Sequence, residues 1–202
     1  LNRDIPAFSQ SIGAVWTPIE DYSFNLSFSH TERAPSGQEL FANGPHIATD
    51  AFEIGDTDLD NERSVGVDLT ATKDSGIIRG SASVFYNNFQ NYIGLNPADD
   101  FIDDLRVFNF EGQKAEFFGT NSTISYYLLE EENNELYVDF QTDYTRARDK
   151  ETGDPLPRIP ALRMKWGLNY YNEKLFRSRI ETLRVFSQNR VADFETGTDS
   201  YT

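Results

Sequence analysis

The sequence contains no cysteine, which excludes a disulfide framework, a thiolate metal site and a cysteine nucleophile together. Histidine is scarce too, at 2 residues in 202. A serine or threonine nucleophile would need one of them as its base, and neither His30 nor His46 sits in a recognisable nucleophile motif. The 33 Asp and Glu residues are plentiful, but abundance is not a positioned acid/base pair, so no enzyme is expected. No run approaches the roughly 18 apolar residues that a transmembrane helix requires. Cations are outnumbered, 18 against 33, and the resulting net charge of -15 argues against nucleic acid or an anionic lipid as partner. It leaves room for cationic ligands, metal ions among them. The opening Leu1-Asn2-Arg3-Asp4-Ile5-Pro6 has neither the basic start nor the apolar stretch of a signal peptide. For an exported protein, the expectation is a chain that starts inside its native sequence.

What is present is aromatic and alternating. Aromatic residues make up 14% of the chain, with 16 Phe and 10 Tyr, a composition that suits strands. Tyr22, Phe24, Leu26 and Phe28 alternate with Ser23, Asn25, Ser27 and Ser29. Leu162, Met164, Trp166, Leu168 and Tyr170 alternate with Arg163, Lys165, Gly167 and Asn169. Val65, Val67 and Leu69, and again Leu136, Val138 and Phe140, repeat the pattern. A helix would scatter such positions around its axis, so these runs are strands. Their second faces carry charges and amides, which fits a wet interior better than a dry second layer.

The pattern predicts strands at 8–17, 22–33, 62–73, 77–92, 113–129, 135–148, 160–171 and 174–189. Connections alternate between short and long. Glu20-Asp21, Asp74-Ser75-Gly76, Asn133-Asn134 and Asn172-Glu173 have turn chemistry. The segments 34–61, 93–112, 149–159 and 190 onward are long. Up-and-down membrane barrels sort their loops this way, with short turns at one end and long loops at the other, whereas a Greek-key sandwich has no reason to. Several strands also exceed the roughly 9–11 residues that cross a bilayer at a tilt. The fold class expected is all-β: antiparallel up-and-down strands forming part of a transmembrane β-barrel over residues 1–202.

Phe28-Ser29-His30-Thr31-Glu32-Arg33-Ala34-Pro35, followed by Gln38-Glu39-Leu40-Phe41, resembles a pattern in TonB-dependent outer-membrane receptors. Asn43-Gly44-Pro45-His46-Ile47-Ala48-Thr49 and Phe52-Glu53-Ile54-Gly55 are similar to the same loop in a branch implicated in zinc uptake. Leu59, Glu62 and Ser64, then Phe85-Tyr86-Asn87-Asn88-Phe89 and Asn91-Tyr92-Ile93, continue the resemblance in order through about residue 93. It implies a barrel of about 22 strands closed by an N-terminal plug. It also implies active uptake of a scarce nutrient (metal ion, iron-siderophore or haem) powered by TonB, in the outer membrane of a Gram-negative cell. Plug, TonB box and final strands are not in this sequence. The partners expected are TonB through that missing region, outer-membrane lipid, and a metal ion or chelate as cargo. The alternative reading is a passive porin or a structural or adhesin barrel, which an upstream plug would exclude.

The resemblance makes His46 the focus of the longest loop. Imidazole and carboxylate are zinc ligands, and Asp50 and Glu53 share its loop, so His46, Asp50 and Glu53 are the candidate metal residues, with zinc as transported ligand rather than resident cofactor. His30 falls on the apolar phase of its strand and suits an interface position. Asp56-Thr57-Asp58-Leu59-Asp60 invites a calcium loop, but the sixth and twelfth positions are Asn61 and Val67 where Gly and Glu are required. The acidic run Asp99, Asp100, Asp103 and Asp104 suits a solvated loop surface. Facing is also predicted: Phe24, Leu26, Phe28, Leu162, Trp166 and Leu168 toward lipid, Asn25, Ser27, Arg163 and Lys165 toward the lumen.

Overall fold

Alternation of this length demands a sheet with one apolar and one polar face, and the computed structural model, which describes residues 5–202, forms one. The chain runs β1 (Gln10–Trp16), β2 (Tyr22–Arg33), helix α1 (Gly37–Phe41), β3 (Asn43–His46), β4 (Ala51–Ile54), β5 (Glu62–Lys73), β6 (Ile78–Ile102), β7 (Leu105–Glu131), β8 (Asn134–Asp149), β9 (Arg163–Asn172) and β10 (Arg177–Val185). The sheet order β1-β2-β5-β6-β7-β8-β9-β10 is the order of the eight predicted strands, each antiparallel to its neighbour. Beyond β10 the chain turns back, and Tyr201 pairs with Val185. The ends of the path do not meet: the sheet is part of a barrel wall, not a closed one.

Register decides the faces. Ile12, Phe28, Val67, Tyr86 and Phe118 form one lateral row, and Ala14, Leu26, Leu69, Val84 and Thr120 the next. Further along, Ile124, Phe140 and Trp166 align, as do Tyr126, Val138, Leu168 and Ile180. These side chains are exposed to a degree unusual for their size, Ile12 at 73% and Ile180 at 71%. The opposite face carries Asn25, Ser27, Asp68, Thr70, Ser83, Asn121, Thr123, Gln141 and Asp143. Arg163 pairs with Asp143 at 2.7 Å and Lys165 reaches Glu181 at 3.8 Å on that polar face, while Trp166 packs on Phe140 at 5.7 Å on the other. The predicted facing therefore holds along β2 and β9. Leu162 lies just before β9, half-buried at its upper end.

β2 and β5 fall on their predicted residues, and the short connections lie at one end of the sheet as expected. Asp21 takes φ 67° and Gly76 φ 82° in two of them, the left-handed backbone that tight turns require. The β7–β8 turn sits one residue earlier than predicted, at Glu132-Asn133, because Glu131 pairs with Asn134. In the last short connection Asn172 Oδ1 accepts from the backbone of Lys174 and Leu175.

The long loops depart furthest from expectation. Residues 93–112 are not loop: β6 and β7 continue upward as one hairpin and turn at Asp103-Asp104, with φ 52° and 64° between the paired Ile102 and Leu105. Alternation fails to mark this extension because it rises past the apolar band, where neither face needs to be greasy. Its register slips between Phe89 and Tyr92 and between Pro97 and Phe101. The segment 34–61 holds α1 and the hairpin β3–β4, and β4 lies parallel to β7 at Ala51–Ile54 against Arg106–Asn109.

Candidate functional site

The loop 34–61 folds back over the upper end of the polar face, and three of the resemblance residues hold it there. Ser36 caps α1: its side chain accepts from Glu39 N at 3.3 Å, and its own N–H donates to Glu39 Oε2 at 2.6 Å. Arg33, at the top of β2, then grips the Glu39 carboxylate with both terminal nitrogens, at 2.8 and 2.9 Å. The same guanidinium donates to Glu62 at 3.2 and 3.3 Å, and Glu62 also accepts from Ile93 N at 3.2 Å. Burial alone would raise the Glu39 pKa, but hydrogen bonds from Arg33 and Ser36 overcome it and hold the carboxyl below its usual range. Leu40, Leu59 and Ile93 pack beneath as a small core with Phe110. Gly55 lets the end of β4 cross α1 closely; a Cβ there would stand 2.7 Å from the Leu40 carbonyl carbon.

This scaffold presents a cleft of about 620 Å³ between α1, the β3–β4 hairpin, the upper parts of β6 and β7, and residues 157–159. Gln38, Glu39, His46 and Glu53 line it together with the aromatic Tyr92, Phe108, Phe110, Phe117 and Phe194 and the exposed Arg158. Phe117 belongs to the polar-face phase, so the cleft opens toward the interior of the wall.

His46 and Glu53 come together across β3 and β4. His46 Nδ1 lies 2.8 Å from Thr49 Oγ1 and 3.2 Å from Glu53 Oε1. Glu53 is 4% exposed, and its other oxygen accepts from Gln38 Nε2 at 2.8 Å. Nδ1 is thus the ring nitrogen turned to the carboxylate, and Nε2 is the one turned away from it. The half-exposed imidazole is thereby oriented by a buried carboxylate, an arrangement common behind metal-bound histidines. Asp50 is exposed in the β3–β4 turn at φ 51° and does not line the cleft. Among the described residues no group of three His, Cys, Asp or Glu side chains converges with metal-site geometry. His30 lies at the top of the apolar face, 3.5 Å from Glu32.

Gln38, the aromatic wall and Arg158 are not marked as site residues by any motif in the sequence. Phe108 and Phe110 stand two apart, a strand signal that was legible but fell in a segment read as loop. Arg158 takes φ 61°, and its N–H donates to Glu195 Oε1 at 2.9 Å; nothing in its local sequence announces either.

The family model described as TonB dependent receptor-like, beta-barrel, matches residues 2–202. Among solved structures, the copper transporter OprC superposes with a TM-score of 0.79 at 20% identity, over 96% of this chain and 29% of that one. The siderophore receptor PirA from Acinetobacter baumannii gives 0.64 at 16% identity, over 96% of this chain and 33% of that one. The FrpB iron transporter from Neisseria meningitidis gives 0.64 at 15% identity, over 96% of this chain and 30% of that one. The chain thus spans about a third of the length of these structures.

Proposed function

The chain belongs to the TonB-dependent receptor family of outer-membrane β-barrels, and on that premise we propose that it is a wall segment of a receptor that actively imports a metal ion or metal chelate. The apolar face then meets outer-membrane lipid, the polar face lines the lumen, and the loop-bearing end faces the cell exterior. TonB would supply the energy through a plug domain outside this sequence. The family consists of transport receptors rather than enzymes.

The observation that carries the cargo reading is the His46–Glu53 pair at the entrance of the cleft. With Nδ1 tied to Glu53 and Thr49, His46 Nε2 is the donor available to cargo. Both Glu53 oxygens are engaged, by His46 and Gln38, so Glu53 acts as the orienting carboxylate more readily than as a direct ligand. Imidazole favours zinc or copper over calcium, whose preference is for oxygen. Asp50, exposed at the hairpin tip, would join only if cargo were met at the outer rim. A zinc site needs four ligands, so His46 is one contributor and the others come from cargo-borne groups or from the rest of the receptor. Zinc and copper titrations of the intact receptor, wild type against His46→Ala, test this. A tenfold or greater loss of affinity is expected, as for loss of a ligand or its orienting partner. Equal affinity removes His46 from the site and leaves an iron chelate, contacting the aromatic wall and Arg158, as the cargo.

A further inference from the structure

On β8 the apolar face ends in cations. Climbing the strand on that face, the side chains are Val138, Phe140, Thr142 and Tyr144, then Arg146 and Arg148, with Lys150 just past the end. Arg148 is ion-paired with Glu116, and Lys150 donates to Asn88 Oδ1 at 2.6 Å. Among the described residues Arg146 has no such partner. Its guanidinium carbon lies 5.7 Å from the centre of the Phe118 ring, and its Nε is buried without an acceptor. Beside it opens a cleft of about 260 Å³ whose lining includes Arg146, Tyr144, Leu162 and Arg190. Arg190 donates its backbone N–H to Gln188 Oε1 at 3.1 Å, and its guanidinium joins no ion pair among the described residues.

We propose that this corner binds the phosphorylated headgroup of an outer-leaflet lipid. The position matches the boundary where hydrocarbon gives way to headgroup, because the same face descends through Tyr144 and Thr142 to the apolar Phe140 and Val138. The chemistry is that of a phosphate site: two guanidinium groups with no carboxylate partner among the described residues line one cleft. Tyr144 and Leu162 offer apolar surface where acyl chains would begin. Charge agrees locally although it disagrees globally. The protein carries -15, yet Arg146 and Arg190 line this cleft together, and Arg148, paired with Glu116, and Lys150 follow Arg146 up the same face of β8. The net charge that argues against anionic lipid averages over loops that never touch the membrane. The inference rests on the membrane reading of the apolar face and is independent of the cargo.

The intact receptor, delipidated in nonionic detergent, supplies the test, with diphosphoryl lipid A as probe and its dephosphorylated form as comparison. Bound lipid is read by native mass spectrometry. The phosphorylated form should bind more tightly, and each Arg removed, in Arg190→Gln and then Arg146→Gln with Arg190→Gln, should weaken it by about fivefold. Arg163→Gln, on the polar face of the next strand, should leave it unchanged. Arg190 lies in a loop, so its single variant reports even if the Arg146 change disturbs the strand. Equal affinity across these variants, indifference to the phosphates, or displacement by inorganic phosphate alone overturns the proposal. Failure of the membrane reading would look different: the receptor would stay monomeric and soluble with no detergent at all.

Discussion

Arg33 shows what a family-like pattern conceals at the scale of single residues. Arg33, Glu39 and Glu62 are all visible in the sequence as pieces of a resemblance, but their meeting at one guanidinium is not. Sequence spacing says nothing about which carboxylates a strand-end arginine will find once a loop of this length has folded back. Glu39→Gln keeps the shape and removes the charge, so it should loosen the loop locally by about 1–3 kcal/mol, the usual cost of breaking a charged, partly buried hydrogen-bonded pair. Hydrogen exchange should accelerate at amides 36–56 and leave β2 and β5 untouched. Acid should mimic the substitution. The folded-state pKa of Glu39 is depressed, so its contribution is complete above the ordinary value of 4.5 and is lost as pH falls below it. Protease sensitivity confined to this loop below about pH 4.5, in wild type but not further in Glu39→Gln, checks the sign. The candidate metal residues teach the same lesson. His46, paired with Ala51, and Glu53, paired with Gly44, meet diagonally on one face of the β3–β4 hairpin, while Asp50, closer to His46 in sequence, is turned away at the tip.

Elements were legible wherever a bilayer imposes a rule on them. β2 and β5 lie on predicted residues because lipid on one side and water on the other force strict alternation, and a slip of one residue would invert every side chain. The β6–β7 extension was illegible for the converse reason: above the apolar band both faces are wet, and the acidic residues at its tip read as loop although they build a two-residue turn. Helix α1 and β3–β4 are too short for periodicity to reveal. Facing can be tested by energetics on β9. Trp166→Arg places a charge on the lipid side and should cost about 2–4 kcal/mol if it lies near the midplane. Lys165→Ala, one residue away on the luminal side, removes only a 3.8 Å contact with Glu181 and should cost under about 1 kcal/mol. Reversible denaturation of the intact receptor in bilayers measures both, and similar costs would mean the strand is in the other register. Gly167 adds a check on the same face, since a Cβ there would stand 2.5 Å from Asp139 Oδ1 and 2.9 Å from an Arg179 nitrogen. Gly167→Ala should break the cluster in which Arg179 reaches the buried Asp139 and Asn169 more severely than Lys165→Ala disturbs its own surroundings.

At the scale of the whole molecule, the sheet is shaped by a solvent that is not water. A soluble sheet buries its apolar face under a second layer, but here none of the described residues covers the rows from Ile12 to Phe118 and from Tyr126 to Ile180, and Trp16 is 65% exposed. What small cores exist lie above the wall: Leu40, Leu59 and Ile93 beneath the long loop, and Ala115, Ala147 and Leu156 with Phe89 and Phe117. They fasten the loops to the strands and contribute nothing to covering the wall. The 202 residues expressed alone therefore face two problems at once. An apolar surface far beyond the few hundred Å² that monomeric soluble proteins expose must be hidden, and the free edges of β1 and of the segment pairing with β10 offer unpaired backbone to any neighbour. The net charge of -15 opposes association, but repulsion between solvated loops is screened within about 8–10 Å at ordinary salt, while the apolar face acts at contact. Burial wins. Without detergent the isolated chain should form large, polydisperse assemblies by light scattering, and higher salt should enlarge them. Micelle-forming detergent should disperse them into small particles that keep the strand signal in circular dichroism. A monodisperse, detergent-free monomer with that same strand content would mean the apolar rows are covered from within, and the membrane-wall reading would then be wrong at its root.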